Sequence, residues 1–236
     1  MSIQRYVADE LTHFVGRQIG PDRERYDLLV KILSTGWLIA PGTQNEDGSP
    51  NDGRISYRYN WSKKISDSEG LFSSSAVCFC DIPVADLGLH VRKYSRFGLA
   101  FTKTFLIDKG AAPVFYIPRG IRRFGVTRAE ALDSLSGELQ RLHPSPPPGA
   151  VSWESPKRSL LETFFEDLVL PFLKPFDETR AEDDPDNYYM EREWRTLTSI
   201  NFRLADVRRV ILPEEYRSLL RENVPMFTGQ VTFVGP

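Results

Sequence analysis

Between Ala76 and Pro118 the apolar residues come in short runs, "AVCFCDIP", "FGLAFTK" and "APVFYIP", bounded by Asp, Lys, Gly or Pro. Apolar runs of about four to eight residues, bounded in this way, are the mark of buried strands. The stretches between them, "VADLGLHVRKY" and "TFLIDKG", place apolar residues at helical spacing, and Gly110 closes the second. Short strands separated by short helical segments predict a mixed sheet in an α+β or α/β domain.

The rest of the chain is read in the same way. "RERYDLLVKILSTGWL" has Leu28, Leu29, Ile32 and Leu33 at helical spacing, with Gly36 where a helix stops. Residues 41–70 are rich in Gly, Asn, Asp and Ser and read as a long loop, with a short strand at Ile55 to Tyr59. Residues 127–142 form a helix, and "HPSPPPGA" is a stiff, extended break after it. "SPKRSLLETFFEDLVLPFL" starts a further helix, with Ser155 as cap, Pro156 in the first turn, and Leu160, Leu161, Phe164, Phe165 and Leu168 as its apolar face. Towards the C-terminus, "VRRVILP" reads as a strand, "EEYRSLLREN" as a helix and "QVTFV" as a last strand. The expected organisation is one domain over 1–236, interrupted by a helical insertion over 119–175.

Composition narrows the function classes. The 236 residues are 41% apolar and 26% charged, with a net charge of −2. Near-neutral charge gives no argument for nucleic acid as the main partner. No stretch approaches the roughly 18 continuous apolar residues of a membrane span. The N-terminus carries charges where a signal peptide needs an apolar run. Cys78 and Cys80 are too close together for an unstrained disulfide. These features predict a reduced, cytoplasmic protein away from membranes.

Several chemistries lack their residues. His13, His90 and His143 are scattered, without Cys or carboxylates at ligand spacing, so no metal is expected. Cys80 and His90 could pair as nucleophile and base, but a Cys in an apolar strand usually acts as a small hydrophobe. Neither a GxxxxGK[ST] nor a GxGxxG loop is present. What remains is "YYMEREWRTL", residues 188–197. If residues 188–199 form a strand, Glu191, Glu193 and Tyr189 share a face, and Arg192 points away. Two like charges on one face raise one another's pKa if partly buried, and so need cations or a function. By itself the pair fits a charged edge strand as well as an active site.

The order of segments adds to this reading. "LTHF" and a helix ending "ILSTGWL" are followed by "VCFCDIP", "LHVRKYSRFGLAF", "PVFY", "EREWR" and "FRLADVRRVILP". This order resembles the AbiGi family of antitoxins from bacterial abortive-infection systems, over roughly residues 6–116 and 188–213. "HVRKYSRFGLAF" and "EREWR" are its most specific parts. The resemblance implies a distant member of the ADP-ribosyltransferase fold: α+β, with a split, mostly antiparallel β-sheet core, flanking helices and NAD bound in a cleft. It further implies His13 at the cofactor's ribose and Tyr94 at the nicotinamide, with His90 one helical turn before Tyr94. Glu193 becomes the catalytic carboxylate and Glu191 the accessory acid. Arg54, Arg58 or Arg92 could meet the pyrophosphate. On this reading ADP-ribose passes from NAD to a macromolecular acceptor. The alternative is a non-catalytic antitoxin that binds and regulates a cognate partner, a toxin or defence protein.

Overall fold

The computed structural model describes residues 8–40, 57–59, 72–74, 76–118, 120–142, 164–181, 184 and 187–235. In chain order its elements are β1 (Glu10–Phe14), α1 (Asp22–Thr35), β2 (Trp37–Leu38), β3 (Tyr57–Tyr59), β4 (Phe72–Ser74), β5 (Val77–Cys80), α2 (Gly88–Lys93), β6 (Gly98–Thr102), α3 (Lys103–Asp108) and β7 (Ala112–Pro113). They continue as β8 (Phe115–Pro118), β9 (Arg122–Arg123), β10 (Val126–Thr127), α4 (Arg128–Leu142), β11 (Leu173–Phe176), β12 (Glu193–Thr196), β13 (Ile200–Asn201), β14 (Val207–Pro213), α5 (Arg217–Asn223) and β15 (Gln230–Val234). The chain divides into two units. The first comprises Met1–Ser56, Ser75–Pro113 and Ala181–Pro236, and the second Tyr57–Ser74 and Val114–Arg180.

The first unit is built on a seven-stranded sheet of order β15-β14-β6-β1-β5-β12-β7. Every pairing in it is antiparallel except β14 with β15. This is the mostly antiparallel α+β core expected from the sequence. Side chains alternate between the two faces of a strand, and cross-strand partners share a face. One face carries Leu11, Phe79, Leu99, Phe101 and Val210, which form a core with Tyr26, Leu29 and Leu33 of α1. Each such Leu, fully buried, contributes about 1.5–3 kcal/mol. The other face carries Cys80 and Ile211, packed with Ile82 and Leu87.

The expected helix over 23–38 is α1, and it stops where the sequence says. Gly36 takes φ 68° and its N–H bonds the Ile32 carbonyl at 3.0 Å. A Cβ on Gly36 would sit 2.5 Å from the Phe202 carbonyl oxygen, so only glycine fits this close approach. The strands expected around Phe79, Phe101 and Ile211 are β5, β6 and β14, and the last helix and strand are α5 and β15.

Two expectations change. "APVFYIP" is not one strand: β7 pairs with β12, whereas β8 pairs in parallel with β11. In the second unit, Phe164–Val169 is a π-helical turn followed by a 3-10 turn over Leu170–Phe172. Phe164 and Leu168 are exposed there rather than core-facing. The expected helix start at Ser155 and Pro156, with Leu160 and Leu161, lies outside the described residues, as do most of loop 41–70 and the "HPSPPPGA" break. Of the strand expected over 55–59, residues 57–59 are described, as β3.

Candidate functional site

The segment 188–199 is not a continuous strand. Tyr188–Glu191 is a 3-10 turn, capped by Asn187, whose side-chain oxygen accepts from the Tyr189 N–H at 3.2 Å. Arg192 then takes the left-handed conformation, φ 44°, and its carbonyl accepts from the Asp81 N–H at 3.1 Å. Only from Glu193 does the chain enter the sheet, where Glu193 pairs with Cys80. Strand parity therefore does not link the two acids, and each has its own cation.

Glu193 is 6% exposed and is held by Arg195. Arg195 donates from Nε to Oε1 at 2.7 Å and from Nη2 to Oε2 at 3.4 Å, a two-pronged contact between residues two apart on one strand face. Glu191 is also 6% exposed. Its Oε1 accepts from Lys93 Nζ at 2.9 Å and from the Tyr94 hydroxyl. Burial pushes the Glu191 carboxyl up to about 7. Lys93 opposes the shift, the neighbouring Glu193 charge adds to it, and Arg17 opposes it again.

Helix α2 delivers the partners of Glu191. His90 and Tyr94 are one helical turn apart, the Tyr94 N–H bonding the His90 carbonyl at 2.8 Å. Phe14, at the end of β1, stacks on Tyr94 with ring centroids 5.9 Å apart and on His90 at 6.4 Å. The Arg17 guanidinium lies over the Tyr94 ring at 4.9 Å. His90 is 4% exposed, and its Nδ1 finds no hydrogen-bond partner among the described residues. Burial first, and the Lys93 charge second, push His90 down to about 4, against a hydrogen bond to the Met190 backbone.

Cys80 sits between Thr12 and Glu193 in adjacent strands, so these three side chains share one face of the sheet. Burial, with the Glu191 and Asp81 charges, pushes the Cys80 thiol up to about 12. A thiol so held is a hydrophobe rather than a nucleophile.

His13 follows Thr12 and therefore projects from the opposite face. There its ring lies 5.8 Å from that of Phe79, and Nδ1 donates to the Cys78 carbonyl at 2.9 Å. Burial lowers its pKa, and the Cys78 hydrogen bond opposes the shift. The structure thus gathers Glu191, Glu193, Tyr94 and His90, and it does not bring His13 to them. Alternation along a strand was readable from sequence, but the register that relates β1 to β12 was not. Arg92 is exposed; Arg54 and the Arg58 side chain lie outside the described residues.

Lys93, Arg17 and Phe14 complete the cluster and were not singled out from the sequence. The signal for Lys93 was its place beside Tyr94 in "HVRKYSRF". A further buried acid, Asp81, lies at the end of β5. Its Oδ2 accepts from Lys103 Nζ at 2.9 Å and Arg192 Nη2 at 3.5 Å. Among the described residues no group of His, Cys, Asp and Glu is placed to hold a metal ion, and no helix is long and apolar enough to cross a membrane.

Comparison with known proteins places this geometry in context. The model of one family, described as "Putative abortive phage resistance protein AbiGi, antitoxin", matches residues 54–223. No curated protein matches the chain. Among solved structures the chain is similar to Thermus sp. 2.9 DarT in complex with carba-NAD+, at 13% identity and a TM-score of 0.40, covering 96% of this chain and 95% of that one. At that identity and score the likeness says nothing about what this chain binds.

Proposed function

Because the chain belongs to the AbiGi family, we propose that it serves abortive phage resistance in the bacterial cytoplasm as an ADP-ribosyltransferase-like protein that passes ADP-ribose from NAD to a macromolecular acceptor. The observation that carries this reading is the pair of buried carboxylates, Glu193 locked by Arg195 and Glu191 shared between Lys93 and Tyr94. A buried acid with a displaced pKa beside aromatic rings, as Glu191 is, is characteristic of reaction sites. The donor set fits NAD in kind. A carboxylate can accept from a ribose hydroxyl, the Phe14 and Tyr94 rings offer stacking faces, and the exposed Arg17 guanidinium suits a phosphate.

NAD supplies the chemistry through its cationic nicotinamide, which leaves as positive charge develops on the ribose. In the proposed site Glu193 stabilises that charge in a water-poor setting, as a fixed carboxylate does in glycoside cleavage. Glu191 takes the acceptor's proton, for which an acid titrating near 7 is well matched. Tyr94 and Lys93 orient Glu191, and His90 supports Tyr94 from within. His13 has no part in this cluster.

The test is incubation of the chain with NAD and its cognate partner, reading nicotinamide release and label transfer. Both are expected with the wild type and neither with Glu193→Gln. Retained release in Glu193→Gln rejects the catalytic assignment, and no release by the wild type rejects the enzyme.

The second reading is a non-catalytic antitoxin. What favours it is that both carboxylates are already satisfied by cations of the chain itself. It expects partner binding that Glu193→Gln leaves intact and no thermal shift on adding NAD.

A further inference from the structure

Residues 119–128 of the second unit, "RGIRRFGVTR", hold four arginines and no acidic residue. Strands β9 and β10 pair Arg123 with Val126 and Arg122 with Thr127. The two residues between them, Phe124 and Gly125, take φ 55° and 83°. Positive φ at both positions is a type I′ turn, which favours Asn-Gly. A bulky residue in the first position is strained. Phe124 buries almost none of its surface in return, since it is 91% exposed.

The hairpin is nevertheless firmly held on one face. Arg122 donates to the Gly125 carbonyl and to Glu130 Oε1, both at 2.8 Å. Glu130 Oε2 accepts from the Thr127 N–H at 2.7 Å, and the Thr127 hydroxyl accepts from the Glu130 N–H at 3.0 Å. This reciprocal cap fixes the hairpin to the start of α4. Arg123 and Val126 share the other face, and the Arg123 guanidinium lies 5.2 Å from the Phe124 ring centroid. Ile121 is 60% and Val126 48% exposed.

We propose that this tip, Phe124 with Ile121, Val126 and Arg123, is a docking finger for a protein partner whose surface offers an apolar pocket rimmed by acidic side chains. The cost of a strained, exposed aromatic is recovered when the ring is buried in that pocket. Charge chooses the kind of partner. Glu130 neutralises Arg122, so among the described residues of this segment the cations left facing outward are Arg123 and Arg128. Two cations are few for a phosphate backbone, where affinity grows with each phosphate neutralised. A pre-organised aromatic beside an arginine is what protein interfaces concentrate at their centres. This inference goes beyond the enzyme reading and does not rest on it.

The experiment titrates the full-length chain with the protein encoded by the gene next to its own, by calorimetry. Phe124→Asn keeps the turn, so the melting temperature stays the same or rises. Affinity is expected to fall about tenfold or more in Phe124→Asn, and also in Arg123→Glu. No complex with the wild type, or affinity within about twofold in Phe124→Asn, overturns the proposal. A clear drop in melting temperature for Phe124→Asn also overturns it, because the ring would then be packed within the chain. Loss in Phe124→Asn of binding to a single-stranded oligonucleotide makes the tip a nucleic-acid surface and overturns it too. Nicotinamide release, measured alongside, scores the enzyme separately.

Discussion

His13 and Glu193 leave the central sheet from opposite faces. Thr12, Cys80 and Glu193 lie in one row across β1, β5 and β12, and His13 is the next residue after Thr12. A dinucleotide lying against Glu193 is therefore separated from His13 by the sheet itself. His13→Ala should leave any NAD-induced thermal shift unchanged while Glu193→Gln removes it. The same His13 variant loses the bond to the Cys78 carbonyl and should be destabilised by about 1–3 kcal/mol, read by urea unfolding. Loss of the NAD shift in His13→Ala, at undiminished stability, would show that the ligand reaches the other face.

Glu191 makes stability fall with rising pH. Its carboxyl titrates at about 7 in the folded chain, against an ordinary value of 4.5. Between those values the folded chain holds a proton that the unfolded chain has lost, so stability drops across the window and levels off above it. Glu191→Gln, neutral throughout, should flatten that slope. Urea midpoints taken from about pH 5 to about pH 8 check the sign.

His90 acts in the opposite sense. Its ring titrates at about 4, against an ordinary 6.5. Its contribution is fully present above pH 6.5 and is lost as pH falls towards 4, because the unfolded chain then binds the proton more readily. His90→Gln should remove this acid-side loss. The two slopes oppose each other in the wild type, so thermal unfolding of the single variants is what separates them.

Arg195 should be the costliest single truncation in the site. Removing it takes the Arg195 guanidinium away from the buried Glu193 carboxylate, which costs about 3–5 kcal/mol. Arg195→Lys keeps the charge but not the two-pronged geometry and should lose less. Denaturant midpoints for the two variants, compared with Glu193→Gln, give the ranking. Equal stability of Arg195→Ala and wild type would mean that the pair is solvated.

What was legible in the sequence was local. The spacing of Leu29 and Leu33 with the stop at Gly36 gave α1, and compact apolar runs gave β5, β6 and β14. Tyr94 was expected at a helix end and caps α2. The acidic pair was misread because nothing in "YYMEREWRTL" announces a left-handed Arg192, a conformation that side chains other than Gly or Asn rarely take. The place of β1 between β5 and β6 rests on pairings among segments more than sixty residues apart. Periodicity within each segment is blind to such pairings. Register, in turn, decided which candidates could meet.

The left-handed Arg192 has an evolutionary consequence. Glu191 belongs to a turn set by Asn187 and Tyr189, while Glu193 belongs to the ladder with Cys80. Substitutions in the turn can retune one acid without disturbing the register of the other. Two carboxylates that look like a single motif are therefore separately heritable traits, and a lineage could lose Glu191 and still inherit Glu193 in place.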